Sequence, residues 1–286
     1  MRFTNYSAFH GMLLSLGPEA AAERTAGLGF ESVEPFTTFP DGQPIYSRID
    51  AARLDAALRA SGLKVACYSM YAVPIAASVA EFLDTMRRHL EFAARIGAPY
   101  LHHTTFPGRT YNGRTYTYPE ALEAVLPYAV AVADAAKEVG IVCLYEPQGP
   151  FFNGAEGLAG LFAAVKRECA NVGICGDVGN PLFADADPLD TFRALHDDIL
   201  HIHVKDYKAG DAPFEGVREQ KSLGGRYLTD CPLGEGIVPV EDCLRAVWDT
   251  GRRPRVALEI PGSAEVLVGA MHTLNEIEAR YEATKG

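Results

Sequence analysis

Four residues that could bind a metal ion stand at the ends of four strand-like runs of the sequence. The runs are rich in apolar and β-branched residues and cover residues 142–146, 173–177, 199–206 and 256–259. The side chains concerned are Glu146, Asp177, His203 and Glu259. A buried cluster of three carboxylates without a cation would be electrostatically prohibitive. The pattern therefore predicts that the four side chains converge on one divalent metal ion.

Three carboxylates and one imidazole form a hard ligand set that donates mostly through oxygen. Such a set suits Mn²⁺, Mg²⁺ or Co²⁺ better than a structural zinc ion, which favours thiolates. Four protein ligands leave positions open on a six-coordinate ion, and a substrate carbonyl and hydroxyl can bind there. We therefore expect a catalytic site with one divalent ion, preferably Mn²⁺.

The run 199–206 carries basic groups on one of its faces. Side chains alternate along a strand, so His201, His203 and Lys205 share a face. We expect His201 to lie in the layer below His203. Lys205 lies nearer the end of the strand, so we expect it to pair with Glu146 or another carboxylate, or to contact a substrate.

The elements that carry these residues alternate regularly between strand and helix. Eight strand-like runs begin near residues 2, 30, 64, 100, 141, 172, 199 and 255, and a helical pattern follows each. Such alternation implies parallel strands joined by helical crossovers, and eight units fit a TIM-type barrel of about 250 residues. A doubly wound open sheet is the rival, but no GxGxxG follows the first strand. We predict an α/β fold, a single (β/α)8 barrel over residues 1–286.

Several boundaries within this barrel follow from local signals. Asp50 and Asp187 are expected to cap the helices that follow them, and the first helix is expected from about Pro18. A helix predicted over residues 118–139 contains Pro127, which should start a turn or kink it. The seventh strand is followed by a long polar loop insertion at about residues 207–236.

Composition and charge exclude several classes of partner. The formal net charge of the 286-residue chain is −11, which argues against binding to nucleic acid or to an anionic membrane surface. No apolar run approaches the roughly 18 residues that span a bilayer. The polar start is unlike a secretory signal.

The six cysteines form no CxxC, so we expect buried, reduced thiols and a cytoplasmic location.

Five short motifs together resemble the sugar phosphate isomerase/epimerase superfamily. They are Tyr145-Glu-Pro147, Gly176-Asp-Val-Gly-Asn180, His201-Ile-His-Val-Lys-Asp206, Gly234-Glu-Gly236 and Leu258-Glu-Ile-Pro261. These xylose isomerase-like barrels include ketose 3-epimerases and L-ribulose-5-phosphate 3-epimerases. The resemblance implies that Glu146, Asp177, His203 and Glu259 hold the metal and that Glu146 and Glu259 form the acid/base pair. It also implies, by analogy, a homodimer or homotetramer.

The implied reaction is proton transfer on a ketose or ketose phosphate through an enediolate. A cation that polarises a ketone makes the neighbouring C–H more acidic. One glutamate would remove that proton, and the other would return a proton to the opposite face. The alternative is a lyase on a keto-sugar in the same scaffold: a dehydratase, or a deglycosidase with a possible partner subunit. An AP endonuclease is disfavoured by the negative charge, and a non-catalytic sugar-binding subunit by the complete set of ligands.

Substrate contacts are predicted from the remaining polar residues near the strand ends. Asn180 stands where many free-ketose epimerases have a histidine. The sequence Asp-Val-Gly-Asn that contains it is closer to the pentulose-phosphate branch. That branch has an arginine shortly before its Gly-Glu-Gly motif, whereas Arg226 lies further away here. We expect Glu34 to bind substrate hydroxyls, Gln148 to face the barrel mouth, and His103 to line the pocket or act as an alternative base. The predicted substrate contacts are Lys205, Asn180, Gln148, Glu34, His103 and Arg226.

Overall fold

The computed structural model describes residues 2–38, 41–71, 78–104, 108–111 and 113–285. Within these ranges the chain forms fourteen β-strands, numbered here in chain order. They are β1 (Phe3–Asn5), β2 (Ser32–Val33), β3 (Lys64–Val65), β4 (Tyr68–Met70), β5 (Tyr100–His103), β6 (Thr110–Tyr111), β7 (Arg114–Thr115), β8 (Val142–Tyr145), β9 (Val172–Asp177), β10 (Ile199–Val204), β11 (Tyr207–Gly210), β12 (Gln220–Lys221), β13 (Tyr227–Asp230) and β14 (Arg255–Leu258).

Nine α-helices lie within the same described ranges. They are α1 (Ser7–Leu16), α2 (Pro18–Gly27), α3 (Ala51–Ala60), α4 (Val79–Arg95), α5 (Tyr118–Glu138), α6 (Ala155–Glu168), α7 (Pro188–Leu195), α8 (Val240–Trp248) and α9 (Ala264–Ala283). None of these helices is long and apolar enough to cross a membrane.

Nine strands form one parallel sheet in the order β3-β2-β1-β14-β10-β9-β8-β5-β4. The two ends of this sheet, β3 and β4, are consecutive pieces of the predicted third strand and are separated by Ala66 and Cys67. A parallel bridge between Phe36 and Ser69 adds a contact where the sheet meets itself. The α/β barrel predicted from the alternating pattern is thus confirmed, with its third strand split in two.

The core has an outer and an inner part. Apolar side chains of the helices, such as Leu90 of α4 and Val132 of α5, are buried between helices and sheet. A small separate cluster of Cys67, Leu144 and Cys175 is fully buried. All six cysteines are free thiols, and Cys67 packs as a small apolar side chain in this cluster.

Two helix starts behave as the sequence predicts. The side chain of Asp50 accepts a hydrogen bond from the backbone N–H of Arg53 at 2.8 Å. The side chain of Asp187 accepts one from the backbone N–H of Leu189, also at 2.8 Å. Each carboxylate satisfies a helical N–H that has no partner within its own helix, and this fixes where α3 and α7 begin.

Three local expectations require correction. The chain forms the helix α1 before Pro18, because Asn5 Oδ1 accepts a hydrogen bond from the N–H of Phe9 and Phe9 packs in the core. The helix α5 continues through Pro127, so Pro127 does not start a turn, and the kink that was its alternative stays a prediction. The insertion after β10 is not an irregular loop but holds the antiparallel sheet β11-β13-β12. The end of the predicted fourth strand at Phe106 lies outside the described residues.

Candidate metal centre

The four residues predicted to bind a metal lie together at the carboxyl ends of neighbouring strands. Glu146 directly follows β8, Asp177 ends β9, His203 lies near the end of β10, and Glu259 directly follows β14. His203 is in register with Asp177 on one side and with Ala257 on the other. The backbone of Glu259 continues this ladder by donating a hydrogen bond to the carbonyl of Val204. Parallel pairing therefore brings all four to one end of the barrel.

The potential ligand atoms surround the imidazole of His203. Its Nδ1 lies 3.4 Å from Glu146 Oε2, 3.4 Å from Glu259 Oε2 and 3.9 Å from Asp177 Oδ2. One such atom from each of the four residues lies within 4.8 Å of those of the other three. The ring of Tyr6 stacks on the ring of His203, and their centroids are 4.9 Å apart.

The three carboxylates of this cluster are buried to different degrees and have different proton affinities. Burial raises the pKa of Asp177 to about 6, although Lys205 opposes the shift. Burial would also raise the pKa of Glu146, but His102 outweighs it and holds that pKa well below the usual range. For Glu259, whose side chain is 30% exposed, Lys205 likewise outweighs burial and lowers the pKa.

The donor atoms of the cluster fit a divalent cation. Glu146 Oε2 and His203 Nδ1 are buried and make no well-formed hydrogen bond within the described residues. A buried polar atom without a partner is costly, and a shared cation would satisfy both atoms. Lys205 supplies only one positive charge against three carboxylates. Both the unpaired atoms and the excess of negative charge favour an ion at this position.

Lys205 pairs with two of the carboxylates, which is one of the two alternatives predicted for it. Its Nζ lies 2.7 Å from Glu259 Oε2 and 3.0 Å from Asp177 Oδ2, and it donates a hydrogen bond to Asn180 Oδ1 at 3.0 Å. Burial would lower the pKa of Lys205, but Asp177 and Glu259 raise it well above its usual value. Lys205 is therefore a buried ammonium group, and Asn180 is placed to hold it.

Glu34 lies below the cluster and not at the mouth of the barrel, where it was expected to contact a substrate. Its side chain is fully buried, and its two oxygens accept hydrogen bonds from ring nitrogens of His201 (2.7 Å) and His203 (3.0 Å). Ser69 also donates a hydrogen bond to Glu34. Burial would raise the pKa of Glu34, but the two imidazoles hold it well below its usual range. These contacts leave Glu34 no access to a substrate.

The histidine of β5 that reaches the cluster is His102 and not the predicted His103. His102 Nε2 lies 2.9 Å from Glu146 Oε1. His103 instead faces the ring of Tyr145, and its Nδ1 lies 3.3 Å from the carbonyl of Thr104. Burial lowers the pKa of His103 to about 4, so its ring is neutral. Pairing of His102 with Leu144 sets which of the two histidines points inward, and this register cannot be read from one strand alone.

Gln148 and Arg226 have no hydrogen bond or ion pair with the cluster among the described residues. Gln148 is half-buried, and its backbone forms a bridge with Phe152 after β8. Arg226 is exposed in the connection between β12 and β13, where its backbone N–H donates a hydrogen bond to Ser222 Oγ. Their predicted contacts with a substrate stay predictions.

The family model for xylose isomerase-like TIM barrels matches residues 22–280. The chain belongs to this family. The match covers seven of the eight strand positions and all four residues of the cluster. No curated protein shows significant sequence similarity to the chain.

Three solved structures with low sequence identity have the same fold. The IolI protein with a bound zinc atom is 15% identical, with a TM-score of 0.74 over 98% of this chain and 99% of that one. The probable 3-DHS dehydratase AsbF from Bacillus anthracis is 19% identical, with a TM-score of 0.72 over 96% and 99%. A sugar phosphate isomerase/epimerase from Parabacteroides distasonis is 14% identical, with a TM-score of 0.63 over 94% and 91%.

Asp206 has a role in this xylose isomerase-like barrel that sequence reasoning missed. Its side chain is buried and accepts hydrogen bonds from the backbone N–H groups of Tyr207, Gly234, Gly236 and Val238. Its carbonyl accepts a further one from the N–H of Cys231. Asp206 thus joins the Gly234-Glu-Gly236 motif to the end of β10. The two motifs were visible in the sequence, but nothing there showed that one binds the other.

Proposed function

We propose that the protein is a divalent-metal-dependent isomerase or epimerase that acts on a ketose or ketose phosphate. The observation that carries the proposal is the pair Glu146 and Glu259, two carboxylates on different strands that each lie 3.4 Å from His203 Nδ1. Membership of the xylose isomerase-like family and the similar fold of a sugar phosphate isomerase/epimerase support it.

Glu146, Asp177, His203 and Glu259 would hold the ion. Bound there, a divalent cation would polarise a substrate carbonyl and increase the acidity of the adjacent C–H. Mn²⁺ is our preferred ion, since three of the four ligands donate through carboxylate oxygen, and Mg²⁺ or Co²⁺ would suit the same set. The similar barrel of IolI with its bound zinc atom shows that this fold can hold a divalent ion.

The protein residues would carry the proton. With its low pKa, Glu146 is a carboxylate near neutral pH and can accept a proton from the carbon next to the carbonyl. Glu259, whose side chain is 30% exposed, can take a proton from solvent and deliver it to the enediolate from another direction, which inverts the configuration of the carbon, and Glu146 then releases its proton to solvent. Lys205 holds Glu259 and Asp177 in place and supplies positive charge beside the reacting oxygens.

A lyase that acts on a keto-sugar is the second candidate. It would use the same proton abstraction but would expel water or an aglycone from the neighbouring carbon. The similarity in fold to a probable 3-DHS dehydratase favours it. Both reactions exchange the α-proton with solvent, so only loss of a leaving group separates them.

The test is a screen of ketoses, ketose phosphates and keto-glycosides with the Mn²⁺-loaded protein in D₂O. The ion is removed with EDTA after the reaction, and the products are identified by NMR and mass spectrometry. We expect one deuterium at the α-carbon and an epimer or isomer without loss of mass. Stoichiometric release of water or aglycone would establish the lyase instead.

Two controls make the screen decisive. Protein treated with EDTA throughout should be inactive, and Mn²⁺ or Co²⁺ should restore its activity. Glu276→Gln on the surface of α9 should behave as the wild type, since this side chain is more than half exposed and lies outside the cluster. Full activity in protein freed of metal would refute the proposal.

A further inference from the structure

A connected set of buried polar side chains lies directly below the metal-binding cluster. Its members are Glu34, Ser69 and His102, which are at most 2% exposed. They come from the second, third and fourth strand positions of the barrel, whereas the candidate ligands come from the fifth to the eighth. Buried polar groups are costly unless they are paired, so a connected set of this kind indicates a specific role for its members.

Glu34 controls which nitrogen of His203 carries the proton. Glu34 Oε1 lies 3.0 Å from His203 Nε2 and, as an ionised carboxylate, can only accept a hydrogen bond there. A neutral His203, the form that can bind a metal, therefore keeps its proton on Nε2. The lone pair is left on Nδ1, which is the atom that faces Glu146, Asp177 and Glu259.

The same carboxylate is connected to Glu146 by two intervening side chains. Ser69 donates a hydrogen bond to Glu34 Oε1, and Ser69 Oγ lies 3.1 Å from His102 Nδ1. The other ring nitrogen of His102 lies 2.9 Å from Glu146 Oε1. Glu146 Oε1 thus lies against His102, while Oε2 faces His203.

We propose that Glu34 is a positioning residue that orients His203 directly, and Glu146 through Ser69 and His102, for metal binding. The inference rests on the proposed function for its catalytic consequence, but its effect on metal affinity does not. Partners that orient the ligands of a metal typically change its affinity about 10- to 100-fold when they are removed.

Two substitutions of Glu34 separate hydrogen bonding from charge. In Glu34→Gln the amide oxygen can still accept from Ser69 and His203, while its NH₂ group faces His201 Nε2. His201 can accept that bond by moving its own proton to Nδ1, which makes no hydrogen bond in the structure. In Glu34→Leu the bond to His203 is lost altogether. We therefore expect Mn²⁺ affinity to fall less than about tenfold in Glu34→Gln and about 100-fold in Glu34→Leu.

Ser69→Ala tests the connection to Glu146, and Ser32→Ala is its matched control. Ser32 is also a buried serine of the barrel sheet, but it contacts Thr4 Oγ1 and the carbonyl of Phe3. Ser69→Ala should lower turnover at saturating Mn²⁺ about tenfold, the low end for loss of a ligand-orienting partner. Ser32→Ala should leave both Mn²⁺ affinity and turnover unchanged.

The readouts are Mn²⁺ titration by calorimetry, turnover of the serine variants, and ¹⁵N–¹H correlation of the His203 ring in the metal-free protein. The spectra are recorded at a pH where that ring is neutral, because Cys175 and Glu34 outweigh burial and raise the pKa of His203 well above its usual value. We expect the Nε2–H form of His203 in the wild type and in Glu34→Gln, and a mixture of forms in Glu34→Leu. If Glu34→Leu does not fold, the ring spectra of Glu34→Gln and the Ser69→Ala comparison still decide. Wild-type Mn²⁺ affinity in Glu34→Leu, or equal effects of the two serine substitutions, would overturn the proposal. Failure of every sugar substrate would remove the proposed function while leaving the affinity comparison valid.

Discussion

Glu146 and Glu259 are the same type of residue, but their neighbours make them chemically different. Glu146 is almost fully buried, and its Oε1 contacts His102. Glu259 is 30% exposed and contacts the ammonium group of Lys205. A pair of carboxylates in distinct environments can divide the removal and the return of a proton between them. At this scale, function depends on partners that come from other strands.

Replacing either glutamate by glutamine should abolish most turnover. Glutamine keeps the shape and one oxygen but can no longer take up a proton as a base, so kcat should fall about 10²- to 10⁴-fold in Glu146→Gln and in Glu259→Gln. Steady-state kinetics on the substrate found in the screen measures the effect. Circular dichroism should show an unchanged fold. Retention of wild-type kcat in either variant would show that the residue is not part of the acid/base pair.

Lys205→Met should separate catalysis from metal binding. Methionine fills similar space but removes the positive charge beside Asp177 and Glu259. Loss of this charge should make Mn²⁺ bind at least as tightly, since like charges repel, while turnover falls about 10²-fold. Calorimetry and kinetics measure the two effects. Lys208→Met is the control, because Lys208 pairs with Glu235 on the exposed surface.

The candidate ligands could be predicted from the sequence because each ends or directly follows a recognisable strand. The roles of Glu34 and of the histidine pair could not, because they depend on register between strands. His102 points inward opposite Leu144, and Glu34 accepts from histidines that are more than 160 residues away in the chain. Parity within a single strand does not contain that information.

At the scale of elements, the geometry of the site depends most on β10 and on the segment that follows it. Gly179, in the turn after β9, has no room for a side chain, since a Cβ there would press on Lys205 and Tyr207. Gly236 is similarly constrained by Asp206. Gly179 of the Asp-Val-Gly-Asn motif and Gly236 of the Gly-Glu-Gly motif are therefore glycines for steric reasons, and the site depends on backbone segments that approach each other closely.

Gly236→Ala should destabilise the protein. The added Cβ would overlap Asp206 Oδ1 and the carbonyl of Tyr207, so the segment must move away and weaken the hydrogen bonds to Asp206. We expect a loss of about 1–3 kcal/mol in the free energy of unfolding, measured with urea. Gly269→Ala on α9 is the control, since nothing lies within 4 Å of its added Cβ. That control should be neutral or slightly stabilising. An equal loss in both would contradict the steric explanation.

The free energy of unfolding should depend on pH through His89, a buried residue of α4. Burial lowers the pKa of His89 from 6.5 to about 4, and Tyr68 hydrogen-bonds to its ring. The unfolded chain takes up this proton near pH 6.5, but the folded chain only near pH 4. Stability present above pH 6.5 is therefore lost as the pH falls towards 4, by about 3 kcal/mol for this residue.

Urea unfolding between pH 7 and pH 4 measures the contribution of His89. The loss of stability on acidification should be about 3 kcal/mol smaller in His89→Gln than in the wild type. The exposed residue His272 on α9 provides the control, and His272→Gln should leave the pH dependence unchanged. The same pH dependence in all three proteins would rule out His89 as its source.

At the scale of the whole molecule, the crossover connections keep the nine strands of the barrel sheet parallel and collect their carboxyl ends on one side. The sequence predicted this architecture well because alternation of strands and helices repeats over the whole chain. It predicted α1 and the sheet β11-β13-β12 poorly. Those elements depend on tertiary contacts, such as that between Asn5 and Phe9, and not on a repeating pattern. Assembly into a homodimer or homotetramer stays a prediction.

Metal binding should stabilise the whole domain, since the four ligands come from four strands of one sheet. An ion that binds only the folded state adds about 2.7 kcal/mol at 100 times its dissociation constant. Mn²⁺ should therefore raise Tm by several degrees in differential scanning calorimetry, and EDTA should reverse the rise. Asp177→Asn should remove most of this response, as it eliminates one ligand. A Tm that does not respond to Mn²⁺ would contradict a site formed by the folded barrel.

The hydrogen bonds to Asp206 also mark the boundary between the barrel and the inserted sheet β11-β13-β12. The excursion through β11, β12 and β13 leaves the barrel at Tyr207 and returns at Cys231, and both residues donate a backbone hydrogen bond to Asp206. Because the two ends already meet, replacing residues 208–230 by a segment of another length adds little loop-closure entropy. A different segment could thus be accommodated there while the candidate ligand of β10 stays in place. The same junction offers a defined splice point for grafting such loops between barrels.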